Sequence, residues 1–187
     1  FGLNDTDNDK TTSDIELVMN GTVSVTGTAS AISGNGTTTL SATTMTINGT
    51  VEATDDYAIY HPGKGTLTVN GTVEGKGGIE AKGGIVNIVG GLVKATAEEQ
   101  SHTPYNNGAS TSGYAVAAVS NPNYSGEPTV TILGATIDGK AIILADFEAE
   151  NVGVVKATVN TIATDDGYKW VDSGDPAAPY MLVEKDL

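Results

Sequence analysis

The chain has 187 residues, enough for one domain, but with 24 glycines and only 5% aromatic residues it lacks the rings for a wide core. Its nine basic residues are all lysine and stand against 23 acidic ones, a net charge of −14. That balance argues against nucleic acid and anionic membranes as partners, because phosphate recognition depends on Lys and Arg. Cysteine is absent, which removes disulfides and thiolate metal sites, and no apolar run approaches the ~18–20 residues that cross a bilayer.

The first 13 residues read as an acidic leader. Within residues 5–16, Asp5, Asp7 and Asp9 occupy positions 1, 3 and 5 of a twelve-residue stretch, Thr11 and Ser13 positions 7 and 9, and Glu16 position 12. Alternating oxygens closed by a bidentate glutamate are the spacing of a calcium loop. Lys10 stands where such a loop carries glycine, and a solvated acidic segment accounts for the same residues, so both readings stay open. The chain opens on Phe1 rather than Met, which is compatible with a processed signal peptide or an upstream segment.

From Asp14 onward one phrase recurs. Its clearest copies are Thr-Ile-Asn-Gly-Thr-Val-Glu-Ala at 46–53 and Thr-Val-Asn-Gly-Thr-Val-Glu-Gly at 68–75, with looser versions at 19–25, 87–95 and 131–139. The anchor residues Ile47, Val69, Ile88 and Ile132 are separated by 22, 19 and 44 positions, the last about two ordinary periods. Each copy combines a period-two, β-branched run with an Asn-Gly or Gly-Gly corner, where tolerance of positive φ is the expected reason for Asn and Gly. A further short strand follows in each unit, around Ile32, Ile59, Ile79, Val116 and Ile142. Repeats that keep one direction at this period predict parallel stacking, like residue above like at ~4.8 Å. Ile47, Val69, Ile88 and Ile132 then form one inward ladder, and Ile32, Ile59, Ile79, Val116 and Ile142 another.

Two polar, Gly- and Pro-rich stretches, 97–113 and 120–128, interrupt the period and are expected to bulge as loops, which in repeat arrays often carry binding. They hold His102, Tyr105, Asn106 and Asn107 in the first and Tyr124 in the second. Rings for a sugar's apolar face beside amides for its hydroxyls suit a glycan or receptor surface, although the same composition is ordinary for a loop. Residues 146–152 are compatible with one helical turn. The end of the chain, with its single Trp, reads as an antiparallel hairpin over 164–187 that covers the open end of the array.

These repeats resemble right-handed parallel β-helix proteins. The Asn-Gly-Thr-Val and Gly-Gly phrases, with the terminal Gly-Tyr-Lys-Trp-Val and Tyr-Met-Leu-Val, look like repeat-rich surface proteins of gut Firmicutes, and similar modules occur in phage fibres. The resemblance implies an all-β fold, a single-stranded right-handed parallel β-helix of about six coils over 14–163, after the leader at 1–13 and before the C-terminal capping hairpin at 164–187.

Function is less constrained, because such folds host lyases, hydrolases, adhesins and spacers. The expected role is a non-catalytic, extracellular structural or adhesive module on a bacterial or virion surface, touching a glycan or host receptor through its inserts, with no cofactor unless calcium. One alternative is a polysaccharide-active enzyme (lyase or hydrolase) of the pectin-degrading kind using Asp55, Asp56 and His61, in which the paired carboxylates could supply an acid and a base. That class also relies on Arg and on acids stacked across coils, and here Gly77 and Gly78 lie opposite the Asp pair. Another is a homotrimeric phage fibre or virion decoration protein. Neither His lies near a Gly-x-Ser-x-Gly nucleophile elbow.

Overall fold

A computed structural model describes residues 2–3, 15–34, 43–104, 108–124 and 127–186. Among these residues the fold is all-β, with no helix, and its strands lie in an eight-stranded sheet, a ten-stranded sheet and a two-stranded ribbon. The calcium spacing at Asp5, Asp7, Asp9, Thr11 and Ser13 lies outside the described residues, as do Tyr105, Asn106 and Asn107.

In the eight-stranded sheet, Ile15–Met19, Thr43–Ile47, Thr66–Val69, Ile85–Ile88, Thr129–Ile132 and Val154–Ala157 follow one another as parallel neighbours. Register carries the sequence ladder through this sheet: Met19 pairs with Ile47, Ile47 with Val69, Val69 with Ile88, Ile88 with Ile132 and Ile132 with Ala157. All six are buried. On the opposite, solvent side the same pairings align Val18, Thr46, Thr68, Asn87, Thr131 and Lys156 in one row. The 44-residue interval is therefore one rung, not two periods, since Ile88 and Ile132 are direct neighbours and the inserts supply the extra length.

The ten-stranded sheet holds the second ladder, with one correction. Ile32, Ile59, Ile79 and Val116 pair in turn, but Val116 meets Ala141 rather than Ile142. Ile142 sits opposite Ala117 and points to the other face, where it joins Tyr57, Tyr114 and Val119 in a smaller cluster against Ala109 of the first insert. A shift of one residue moves a side chain across the sheet. Ala141, smaller than Ile, takes its place in the main core with Ile143.

The Asn-Gly corners work differently from the expectation. Among the described residues only Phe147 and Glu148 combine a non-glycine side chain with positive φ, and neither Gly49 nor Gly71 is left-handed. The asparagines instead form a side-chain ladder: Asn48 Nδ2 donates to Asn20 Oδ1 at 2.9 Å, and Asn70 Nδ2 to Asn48 Oδ1 at 2.9 Å. Corner backbone is bonded between rungs as well, with Thr50 N to Gly21 O and Thr72 N to Gly49 O both at 2.9 Å. This draws successive corners so close that a Cβ on Gly71 would overlap the Gly49 carbonyl oxygen, and one on Gly49 the Gly21 carbonyl oxygen. Gly71→Ala is therefore expected to cost about 1–3 kcal/mol through backbone overpacking, read as a lower denaturation midpoint; an unchanged midpoint would contradict the stacking.

The C-terminal strands Tyr168–Asp172 and Tyr180–Glu184 form the expected antiparallel hairpin, with Trp170 opposite Leu182. Tyr180–Glu184 also pairs antiparallel with Val154–Ala157, so the hairpin occupies the last edge of the eight-stranded sheet. Trp170 Nε1 donates to the Ile162 carbonyl at 2.9 Å. Residues 146–152 contain no helix; the chain turns there through left-handed backbone at Phe147 and Glu148.

Candidate functional site

The first insert does not hang free. Its short ribbon, Ser101–His102 paired with Thr111–Ser112, crosses the outer face of the ten-stranded sheet. Two charged residues lie beneath the insert at 0% exposure: Glu80, in that sheet at the outward-facing register of Tyr60 and Ala117, and Lys82, in the bend just after the strand Thr72–Ala81. Glu80 grips the insert: Oε1 accepts from Ser110 N and Oε2 from Thr111 N, both at 2.9 Å, and Oε2 also accepts from the Thr111 hydroxyl. With that hydroxyl proton committed, Tyr57 donates its own to Thr111 Oγ1 at 2.6 Å.

Lys82 supplies the compensating charge. Its Nζ donates to the Gly108 carbonyl at 2.6 Å and to Asp146 Oδ2 at 3.3 Å, and lies 3.8 Å from Glu80 Oε1. Asp146 is buried, and its second oxygen is 2.8 Å from His102 Nε2, on a ring that stays partly exposed. Burial pushes Glu80 up from its ordinary range, against the pull of Lys82 and the hydrogen bonds from Thr111 and Ser110. At Asp146 burial works the same way, but hydrogen bonding, from His102 among others, and the Lys82 ammonium outweigh it and hold the carboxyl low.

Beside this cluster an open cleft of about 460 Å³ runs between the second insert and the turn after Lys140–Ala145. Ser120, Asn121, Tyr124, Glu127, Glu148 and Glu150 line it. Tyr124 belongs to both places. Its ring centroid lies 5.8 Å from Lys82 Nζ, and its hydroxyl receives a hydrogen bond from Tyr60 at 3.4 Å.

The sequence candidates fall into separate surroundings. Asp55 is exposed and accepts from the Thr54 hydroxyl at 3.1 Å. Asp56 is spent on local bonds, from Tyr57 N at 2.8 Å and the Ser30 hydroxyl at 3.1 Å. His61, in the same strand, is 2% exposed and pairs with the core residue Ala81. Its Nε2 has no hydrogen-bond partner among the described residues, and burial lowers its pKa to about 4 despite a backbone bond to Gly65. No hydrogen bond or ion pair joins it to either carboxylate among the described residues. Glu16 lies on the exposed side of Ile15–Met19, beside Thr44. His102 and Tyr124 do converge, both onto the Lys82–Asp146 pair.

Sequence reasoning missed Glu80, Lys82, Asp146 and Ser120. The available signal was a Glu one residue before the end of a strand, in the small, apolar stretch 77–81, and a Lys just past that strand. Among the described residues no set of three His, Cys, Asp or Glu converges as metal ligands do. No protein-family model matches the chain, and neither a curated protein nor a solved structure is significantly similar to it.

Proposed function

We propose that the chain is a right-handed parallel β-helix of about six coils, closed by its C-terminal hairpin. It serves as a non-catalytic, extracellular structural or adhesive module that presents its inserts to a glycan. The observation that carries this reading is the unbroken in-register run of buried aliphatic residues from Met19 to Ala157 across six parallel strands. Such a run gives a stiff shaft in which each rung's backbone bonds to two neighbours, and inserts attached to it leave the stacking intact. Among the described residues, the cluster of ionisable groups around Lys82 lies almost wholly beneath the first insert, where it fastens chain to chain.

The module is expected to be retained on immobilised glycans or host-cell surfaces, and to release neither reducing ends nor unsaturated products from pectic and neutral polysaccharides. Product release that disappears in Asp146→Asn would instead favour a polysaccharide-active enzyme. One observation speaks for that second reading: neighbouring environments drive the Glu80 and Asp146 carboxyls in opposite directions, as they do for paired acid and base groups.

A further inference from the structure

The cleft beside the second insert contains a polar group left unsatisfied among the described residues. Ser120 is 3% exposed, and its hydroxyl has no hydrogen-bond partner among the described residues. Buried hydroxyls are nearly always bonded, so an orphan lining a cleft marks a place where a ligand atom completes the set. Around it the described lining is one-sided in charge: Glu127, Glu148 and Glu150 contribute three carboxylates, and no Lys is among the described lining residues. Tyr124 offers an aromatic face held in place by Tyr60 and Lys82. Asn121 Oδ1 accepts from Asn123 N at 2.9 Å and fixes the adjoining turn. Glu148 reaches the lip from left-handed backbone, φ 56°, directly after Phe147 at φ 52°, a conformation that costs energy for residues other than glycine.

We propose that this cleft binds a protonated amino sugar, a glucosamine-type unit of a deacetylated polysaccharide. Its ring would lie on Tyr124, its ammonium would face the glutamates, and one of its hydroxyls would meet Ser120 Oγ. A volume of about 460 Å³ sits within the roughly 300–1,000 Å³ of small-ligand sites. Uronic acids are repelled by the three carboxylates, and neutral sugars leave them unpaired. A bare cation leaves the ring unused, whereas an ammonium on a flat, partly apolar ring uses both features. This inference rests on the glycan-contact reading above and names the sugar class for it.

Titration calorimetry of the full chain at low salt tests it, with tetramers of glucosamine, N-acetylglucosamine and galacturonate and with a simple diamine. The glucosamine tetramer is expected to bind at least about tenfold more tightly than the other three, weakening as salt screens the carboxylates. Glu148→Gln and Glu150→Gln each lower affinity about threefold to fivefold, while Glu52→Gln, at an exposed position outside the cleft lining, leaves it unchanged. Glu148→Gly, which relieves the left-handed backbone, raises the thermal midpoint yet still weakens binding, separating the site from folding. Equal affinity for the N-acetylated tetramer or the diamine overturns the proposal, as does indifference to both glutamine variants. If another glycan class binds the chain instead, the sugar assignment fails and the adhesive reading stands; if no glycan binds at all, both fail.

Discussion

Replacing Lys82 with methionine is expected to destabilise the fold by about 3–5 kcal/mol at pH 7, a large share of the 5–15 kcal/mol that holds a typical domain. The methionine fills most of the volume but leaves Glu80 and Asp146 buried without their cation and the Gly108 carbonyl without its donor. Glu80 already sits above its ordinary pKa because of burial, with Lys82 the first of the influences that lower it. Removing the ammonium raises it further. A carboxyl whose folded pKa exceeds its unfolded one favours folding as pH falls through the folded value. Lys82→Met should therefore lose less stability at pH 5 than at pH 7, and adding Glu80→Gln should recover part of the loss at pH 7. Denaturant melts of the wild type, both single variants and the double variant measure the coupling directly. A cost below about 1 kcal/mol, or one that ignores pH, would mean the cluster is not the fastener described here.

The same cluster marks the boundary of what could be read in the sequence. The rungs were legible because each is specified locally and repeatedly: Ile47, Val69 and Ile88 carry the same phrase, so aligning the text aligned the strands. Ile142 escaped because Gly139 and Lys140 enter the next strand one step out of phase, and no repeat at that point sets the register. The 44-residue spacing deceived for a related reason, since the length of an inserted loop carries no information about rung number. The Asn-Gly corners were placed correctly but explained wrongly. Their need is close approach and an amide ladder, and both arise only once a second rung is stacked on the first.

The seat of the first insert had no such local signature. Glu80 meets Ser110 and Thr111, and Lys82 meets Gly108 and Asp146, partners 26–64 positions away with no repeated pattern. His102 and Tyr124 were found because rings and amides in a polar loop stand out, whereas Ser120 is one serine among many until its burial, with no partner among the described residues, singles it out. Division of labour in the fold follows from this. Periodic residues spend their chemistry on stacking, so discriminating chemistry is left to the inserts and to the few strand residues that hold them.

His61 shows what the stacked core demands of a polar residue, and it sets the second large effect. Its folded pKa is about 4, because burial disfavours the imidazolium, against about 6.5 in an unfolded chain. A base that is harder to protonate when folded contributes its full share of stability above the unfolded pKa. That share shrinks as pH falls from 6.5 and is gone near pH 4. The difference corresponds to about 3 kcal/mol. Asp146 and Asp165, whose pKa values lie below the ordinary carboxylate range, weaken the fold only at still lower pH, and Glu80 acts in the opposite sense. Subtracting the stability curve of His61→Leu from that of the wild type should therefore isolate the imidazole. The variant gives up the bond to Gly65, about 1 kcal/mol, at every pH, but it is expected to gain about 3 kcal/mol relative to the wild type between pH 6.5 and 4. Parallel curves over that window would show that His61 takes up protons as readily in the fold as in the unfolded chain, and would remove it from the dry side of the sheet.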